Sequence, residues 1–241
     1  MIRRALRVVL ALVLVAAGCG GLYESIERPD SGLFGPVILH GTGHRVALTF
    51  DDGPNPAYTP AVLAVLRTHH VRATFFCVGR AVRAHPDLVR AMLADGDEVE
   101  NHTLAHAHLN ALFTRAALAR EIEGGRAALA AVTGRTPLFT RPPYGARDFA
   151  ALETIHAYGM RAVLWSAMLG DYPVRPRAAE MLGTLLAQVG DGAIVVLHDG
   201  DLGRDDGGGR TYEAALTAPL IEALQARGYA FVTVAELAPH A

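Results

Sequence analysis

Residues 46–54 read Val46-Ala47-Leu48-Thr49-Phe50-Asp51-Asp52-Gly53-Pro54. A short apolar strand, Val46–Phe50, runs straight into two carboxylates and a Gly-Pro turn. Six further runs of strand character follow, at Ala73–Val78, Glu98–Asn101, Leu138–Arg141, Ala162–Trp165, Ala193–His198 and Ala230–Val234. Segments of helical period separate them: Thr59–His69, Pro86–Ala94, Thr114–Val132, Asp148–Tyr158, Arg177–Val189 and Tyr212–Arg227. Pro60 and Pro86 mark helix starts, and Gly96 and Gly228 mark helix stops. Strands alternating with helices predict an α/β fold with a parallel sheet. Closing that sheet of about seven strands into a barrel hides its edges. In such barrels the chemistry sits at the C-terminal strand ends. The polar candidates fall there: Asp51 and Asp52 after the first strand, His102 after the third, Arg141 ending the fourth and His198 ending the sixth.

The 241 residues, 51% hydrophobic and 19% charged, suit one domain with a sizeable core behind a short apolar leader. Lys and Arg are scattered among Asp and Glu, and the net charge is −2, so no nucleic-acid surface is expected. Arg3, Arg4 and Arg7 precede a continuous apolar run, Val8–Ala17, and then Gly18-Cys19-Gly20-Gly21. This reads as an export signal with a core shorter than a membrane span. Ala16-Ala17-Gly18-Cys19 also resembles a bacterial lipoprotein processing site, so cleavage, lipidation at Cys19 and retention as an anchor all remain open. Each fate places the remainder outside the cytoplasm, secreted or held at the envelope, with membrane contact only through the leader. The expected layout is a leader over 1–22, a linker over 23–43 and one catalytic domain over 44–238, working as a monomer. Cys77, in Ala-Thr-Phe-Phe-Cys-Val, reads as a buried core residue.

Two adjacent carboxylates repel each other when both are ionised, and a cation relieves that repulsion. One of Asp51 and Asp52 can then hold a metal while the other serves as a base. Alone, Asp-Asp-Gly more often marks a solvated turn. His102 and His106, in Asn101-His102-Thr103-Leu104-Ala105-His106, are four apart and share a face if that segment is a helical turn. Asp52, His102 and His106 then form a His-His-carboxylate set with open positions, fit for Zn²⁺, Co²⁺ or another divalent ion. His108 is off that face, a bystander or a residue at the substrate's edge. In Arg141-Pro142-Pro143-Tyr144-Gly145 the two prolines stiffen a turn, so the Tyr144 N–H can meet a developing oxyanion and Arg141 can pair with Asp51. His198 ends a buried strand and has the pKa range to protonate a leaving amine. Asp171 can reach Arg141 or His198.

Thr-Phe-Asp-Asp-Gly-Pro, His-Thr-x-x-His, Arg-Pro-Pro-Tyr-Gly, a Trp…Asp segment and Leu-His-Asp occur here in that order. In this order they resemble the polysaccharide deacetylases of carbohydrate esterase family 4, over roughly residues 44–238. The resemblance implies a distorted (β/α) barrel of about seven strands and a metal-dependent N-deacetylase acting on an N-acetylated carbohydrate polymer such as peptidoglycan or chitin. It implies Asp52, His102 and His106 as ligands of a divalent ion, Zn²⁺ first. It further implies Asp51 as general base oriented by Arg141, Tyr144 as the oxyanion N–H, His198 as general acid and Asp171 as partner of that machinery. Met168, Tyr172 and Val196 depart from the family's usual acidic residue, Trp and Leu. Hydrolysis of a small amide or imide, a degenerate carbohydrate binder and a structural envelope protein are the competing readings.

Overall fold

The computed structural model describes residues 28–112, 114–169, 177–201 and 211–238. β1 (Arg45–Asp51) is buried from Val46 onward and occupies the middle of the sheet. On one side lie β2 (Thr74–Cys77), β3 (Glu98–Asn101), β4 (Phe139–Thr140) and β5 (Arg161–Ala162); on the other lie β7 (Ala193–His198) and β6 (Ala167–Met168). β8 (Ala230–Phe231) pairs with the start of β1, and every strand pairing is parallel.

β5 and β6 belong to one stretch of chain, residues 161–168. Its beginning pairs with β4 and its end with β7. The predicted strand Ala162–Trp165 is therefore corrected to two short pieces that carry the chain from one flank of the sheet to the other. Counting them as one run gives seven parallel strands in a curled half-barrel. Residues 38–41, within the stretch read as a linker, add to this wall. The Ile38 N–H donates to Ala162 O at 2.9 Å, Leu164 N–H to Ile38 O at 2.8 Å and Gly41 N–H to Gly192 O at 2.8 Å.

The two-residue period of the strands sorts their side chains. Val46, Leu48 and Phe50 face the helix layer and pack with Val62, Leu63 and Leu66 of α1 (Thr59–His69) in the main core. Ala47 faces the barrel interior with Phe76, Phe139, Ile194, Val234 and Leu237. By the same parity Thr49 and Asp51 of β1 point inward, as do Val196 and His198 of β7. Polar chemistry is thus seated on the inner face and the apolar shell is kept outside.

The next helices are α2 (Gly79–Ala84), α3 (Pro86–Ala94), α4 (Arg115–Thr133), α5 (Phe149–Ala157), α6 (Ala178–Gln188) and α7 (Thr211–Ala226). Thr114 and Asp148 are N-caps: their side chains accept from Ala117 N at 3.2 Å and Ala151 N at 2.8 Å. The sequence reading missed α2 and the short α8 (Val234–Leu237), and it ran the last strand too far. That strand stops at Phe231 because Thr233 and Glu236 form a capping box, with Thr233 N donating to Glu236 Oε2 at 3.0 Å and Glu236 N to Thr233 Oγ1 at 3.4 Å. Cys77 is fully buried, as its apolar neighbours predict. Among the described residues no helix is long and apolar enough to cross a membrane.

Opposite the strand ends that carry the chemistry, Asp97, Glu98 and Glu100 line a cavity of about 420 Å³. Burial pushes the Asp97 carboxyl up to about 6, helped by the Asp95 charge and opposed by the hydrogen bond from Ala73 N. Its folded value lies above its unfolded one, so this group's stability contribution is present below the unfolded value and is lost as pH rises through 6. Replacing Asp97 by Asn removes that loss. In urea unfolding between pH 4 and pH 7, the wild type should fall relative to Asp97→Asn by up to about 3 kcal/mol. Parallel pH curves would contradict the assignment.

Candidate active site and metal centre

At the end of β1 the chain leaves its extended path. Asp52 takes φ 75°, in the left-handed region, and so escapes the alternation that would send it away from Asp51. The turn is possible because two glycines give way. A Cβ on Gly53 would lie 2.4 Å from the Asp199 carboxylate oxygens, and one on Gly200 would lie 2.3 Å from the Asp52 carbonyl group.

After β3 the chain makes a second irregular turn, which corrects the expected helical turn. Thr103 and His106 have φ 66° and 58°, and residues 102–108 are not helical. Asn101 Oδ1 accepts from Thr103 N at 3.1 Å, Thr103 Oγ1 accepts from His106 N at 3.1 Å, and Glu121 of α4 accepts from Ala105 N at 2.9 Å. These bonds bring His102 and His106 together by folding the loop back on itself. His106 Nε2 lies 2.9 Å and His102 Nε2 3.4 Å from Asp52 Oδ1. Donor atoms of the three buried residues all lie within 4.8 Å of one another. His102 Nδ1–H donates to Arg141 O at 2.8 Å, which turns its Nε2 lone pair toward Asp52.

The electrostatics favour a cation here. Burial alone raises the Asp52 carboxyl, but the adjoining His102 and His106 imidazoles and the His198 charge hold it well below the usual carboxylate range. Burial pushes the His106 imidazole below its ordinary value despite the pull of Asp52, favouring the neutral form that binds metals. One carboxylate and two imidazoles, buried and converging, form a donor set of the kind that holds a divalent ion.

Beside them Asp51 Oδ1 accepts from Arg141 Nη1 at 2.6 Å. Arg141 is fully buried. It also donates to Thr49 Oγ1 at 2.8 Å and Leu164 O at 3.0 Å, and its guanidinium lies 3.9 Å from the Phe76 ring centroid. Burial lowers the Arg141 pKa and the Asp51 charge restores part of it. The Pro-Pro turn that follows puts Tyr144 at φ 60°, and its N–H donates to none of the described residues. The Tyr144 ring is 49% exposed at the rim, edge-on to His106 at 4.9 Å and stacked on His108 at 5.0 Å. His108 thus joins the rim. Four of the five non-glycine residues with positive φ among the described residues, namely Asp52, Thr103, His106 and Tyr144, lie at this one place, which concentrates backbone strain at the site.

His198 is next to Asp51 across the β1–β7 pair. Its Nδ1 is 2.8 Å from Glu213 Oε2. The following Asp199 is fully buried and accepts from Thr59 Oγ1 at 2.5 Å, tying β7 to the start of α1. Burial pushes the Asp199 carboxyl up to about 7, with the Thr59 bond opposing and the Asp52 and Asp51 charges adding. The structure therefore brings Asp51, Asp52, His102, His106, Arg141, Tyr144 and His198 to one end of the barrel. Asp171 and Tyr172 lie outside the described residues, as does most of the Asp199–Gly209 loop. Val196 is buried two residues before His198, beside Thr49, and Met168 pairs with it. Sequence reasoning missed the supporting Thr49, Glu121, Asp199 and Glu213. Thr49 and Asp199 lie inside the Thr-Phe-Asp-Asp-Gly-Pro and Leu-His-Asp motifs, where sequence reasoning assigns them no role; Glu121 and Glu213 carry no local signal.

The polysaccharide deacetylase family profile matches residues 40–163. A chitooligosaccharide deacetylase of Sinorhizobium fredii is 40% identical over 198 residues, covering 80% of this chain and 92% of its own length. The chain belongs to the polysaccharide deacetylase family. A second deacetylase, the peptidoglycan-N-acetylglucosamine deacetylase of Bacillus cereus, is 35% identical over 193 residues, covering 80% of this chain and 87% of that one. The crystal structure of the Bc1960 peptidoglycan N-acetylglucosamine deacetylase superposes with a TM-score of 0.76 at 28% identity, over 83% of this chain and 92% of that chain. The family match ends at Val163, so β6, β7 and His198 join the site from beyond it. As a deacetylase this family member is a hydrolase, and its α/β half-barrel agrees with the sequence expectation.

Proposed function

We propose that this family member is an exported, metal-dependent hydrolase that removes N-acetyl groups from an N-acetylglucosamine polymer of the cell envelope, peptidoglycan before chitin-like chains. The observation that carries the reading is the convergence of Asp52, His102 and His106 beside the Asp51–Arg141 pair and His198. Asp52, His102 and His106 would hold the ion, with Zn²⁺ the first choice for such a donor set. When bound, a divalent ion supplies a Lewis acid for a carbonyl oxygen and lowers the pKa of water.

The chain's own residues do the rest. Asp51, held by Arg141, takes a proton from the attacking water. The Tyr144 N–H, uncommitted to any described residue, donates to the oxyanion as the carbonyl carbon becomes tetrahedral. His198 gives its proton to the amine nitrogen as the C–N bond breaks, leaving acetate and a free amino sugar. The chitooligosaccharide and peptidoglycan N-acetylglucosamine substrates of these relatives support an N-acetylated glucosamine chain. The leader supports the envelope as the place where the enzyme meets it, through a catalytic domain over 44–238.

Acetate release by residues 23–241 loaded with Zn²⁺ or Co²⁺ tests the proposal, with chitooligosaccharides and purified peptidoglycan side by side. Metal-dependent acetate from either polymer is the expected result. No acetate from both, with metal bound, would overturn it in favour of a small-amide hydrolase or a carbohydrate binder. His198→Ala should leave metal content intact and slow acetate release by roughly 10²- to 10⁴-fold. Loss of metal from that variant would instead make His198 a ligand.

A further inference from the structure

We propose that Glu213 is the positioning residue for His198: its carboxylate fixes which ring nitrogen of His198 faces the substrate and stabilises the proton that the ring delivers. This deepens the reading above and rests on His198 acting as the acid. Glu213 stands in the first turn of α7, where the helix N-terminus favours a negative charge. Glu213 is 3% exposed and places Oε2 at 2.8 Å from His198 Nδ1. The Leu216 and Leu220 side chains hold that end of α7 in the main core with Val195 and Leu197 of β7, so the two partners sit on elements locked to each other. A carboxylate can only accept, so the Nδ1–H donates to it. The other ring nitrogen, Nε2, is then the one that carries and releases the second proton of the imidazolium. The step balances simply: the Nε2–H bond breaks, an N–H bond forms on the departing amine, and the imidazole left behind keeps its Nδ1–H on Glu213. The logic is that of the buried carboxylate that orients histidine in hydrolytic triads.

The test separates proton delivery from general damage by using two substrates. Amide cleavage needs a protonated leaving amine. An aryl acetate such as p-nitrophenyl acetate leaves as a stable anion and needs no acid. In the full-length, Zn²⁺-loaded enzyme, Glu213→Gln should lower kcat on an acetylated chitooligosaccharide by about 10²-fold and change aryl-acetate turnover by less than about 3-fold. In a His198→Ala background the same substitution should add nothing further, because the two residues act as one unit. Equal losses on both substrates, no loss on either, or an additive loss in the double variant would each overturn the proposal. Glu213→Asp, one methylene shorter, serves the same comparison if Glu213→Gln does not fold. If the wild type cleaves neither substrate, the deacetylase reading itself has failed, which is a different outcome from a failure at Glu213.

Discussion

Asp52→Ala is expected to bind no stoichiometric Zn²⁺ and to release no metal-dependent acetate. Asp52 is the anionic member of the donor set, and both imidazole Nε2 atoms converge on its Oδ1. Removing a group that merely supports a ligand typically costs 10- to 100-fold in metal affinity, so removing the charged ligand itself should cost more than about 100-fold. Calorimetric titration with Zn²⁺ reads the affinity directly. Thermal unfolding gives a second reading: metal at 100 times its Kd stabilises a native state by about 2.7 kcal/mol, so the wild type should melt higher with Zn²⁺ and the variant should not. The apo variant should remain folded, because Asp52 follows a strand whose burial is carried by Val46, Leu48 and Phe50. A variant that keeps wild-type affinity would remove Asp52 from the centre and the metal reading with it.

Asp51→Asn should separate metal binding from turnover. Asp51 bonds to Arg141, not to His102 or His106, so metal content should stay near wild type. The amide oxygen of Asn can still accept from Arg141 but cannot take a proton from water. Acetate release should fall by roughly 10²- to 10⁴-fold, the usual contribution of a general base. There is a stability cost as well, because the Arg141 charge stays buried with its counter-charge gone. Breaking a buried ion pair costs about 3–5 kcal/mol, and the surviving hydrogen bond should keep this case at the low end. Turnover close to wild type with metal bound would sink the assignment of Asp51 as base.

Much of this architecture was legible along the chain because its signals are local. The inner faces of β1 and β7 follow from strand parity. Helices α1, α3, α4 and α5 each begin within one residue of a cap or proline visible in the sequence: Pro60, Pro86, Thr114 and Asp148. The errors also have local causes. Ala162–Trp165 is almost wholly apolar, and nothing in its composition shows that the run changes partners from β4 to β7 along its course. The His102–His106 spacing fits a helix, yet the chain uses two left-handed residues instead. The same two imidazoles converge either way, so the ligand set was readable although its backbone was not.

By itself the sequence determined the alternation of strands and helices, the placing of acids and histidines after strands, and the family those motifs belong to, because each depends on residues a few positions apart. The tertiary structure alone decided which carboxylate meets which base. Glu213 lies 15 residues from His198, Glu121 lies 16 from Ala105, and Arg141 lies 90 from Asp51. No period or motif links such positions. They meet because α7 packs on β7, α4 packs under the histidine loop, and the inward parity of β1 aims Asp51 at a buried guanidinium.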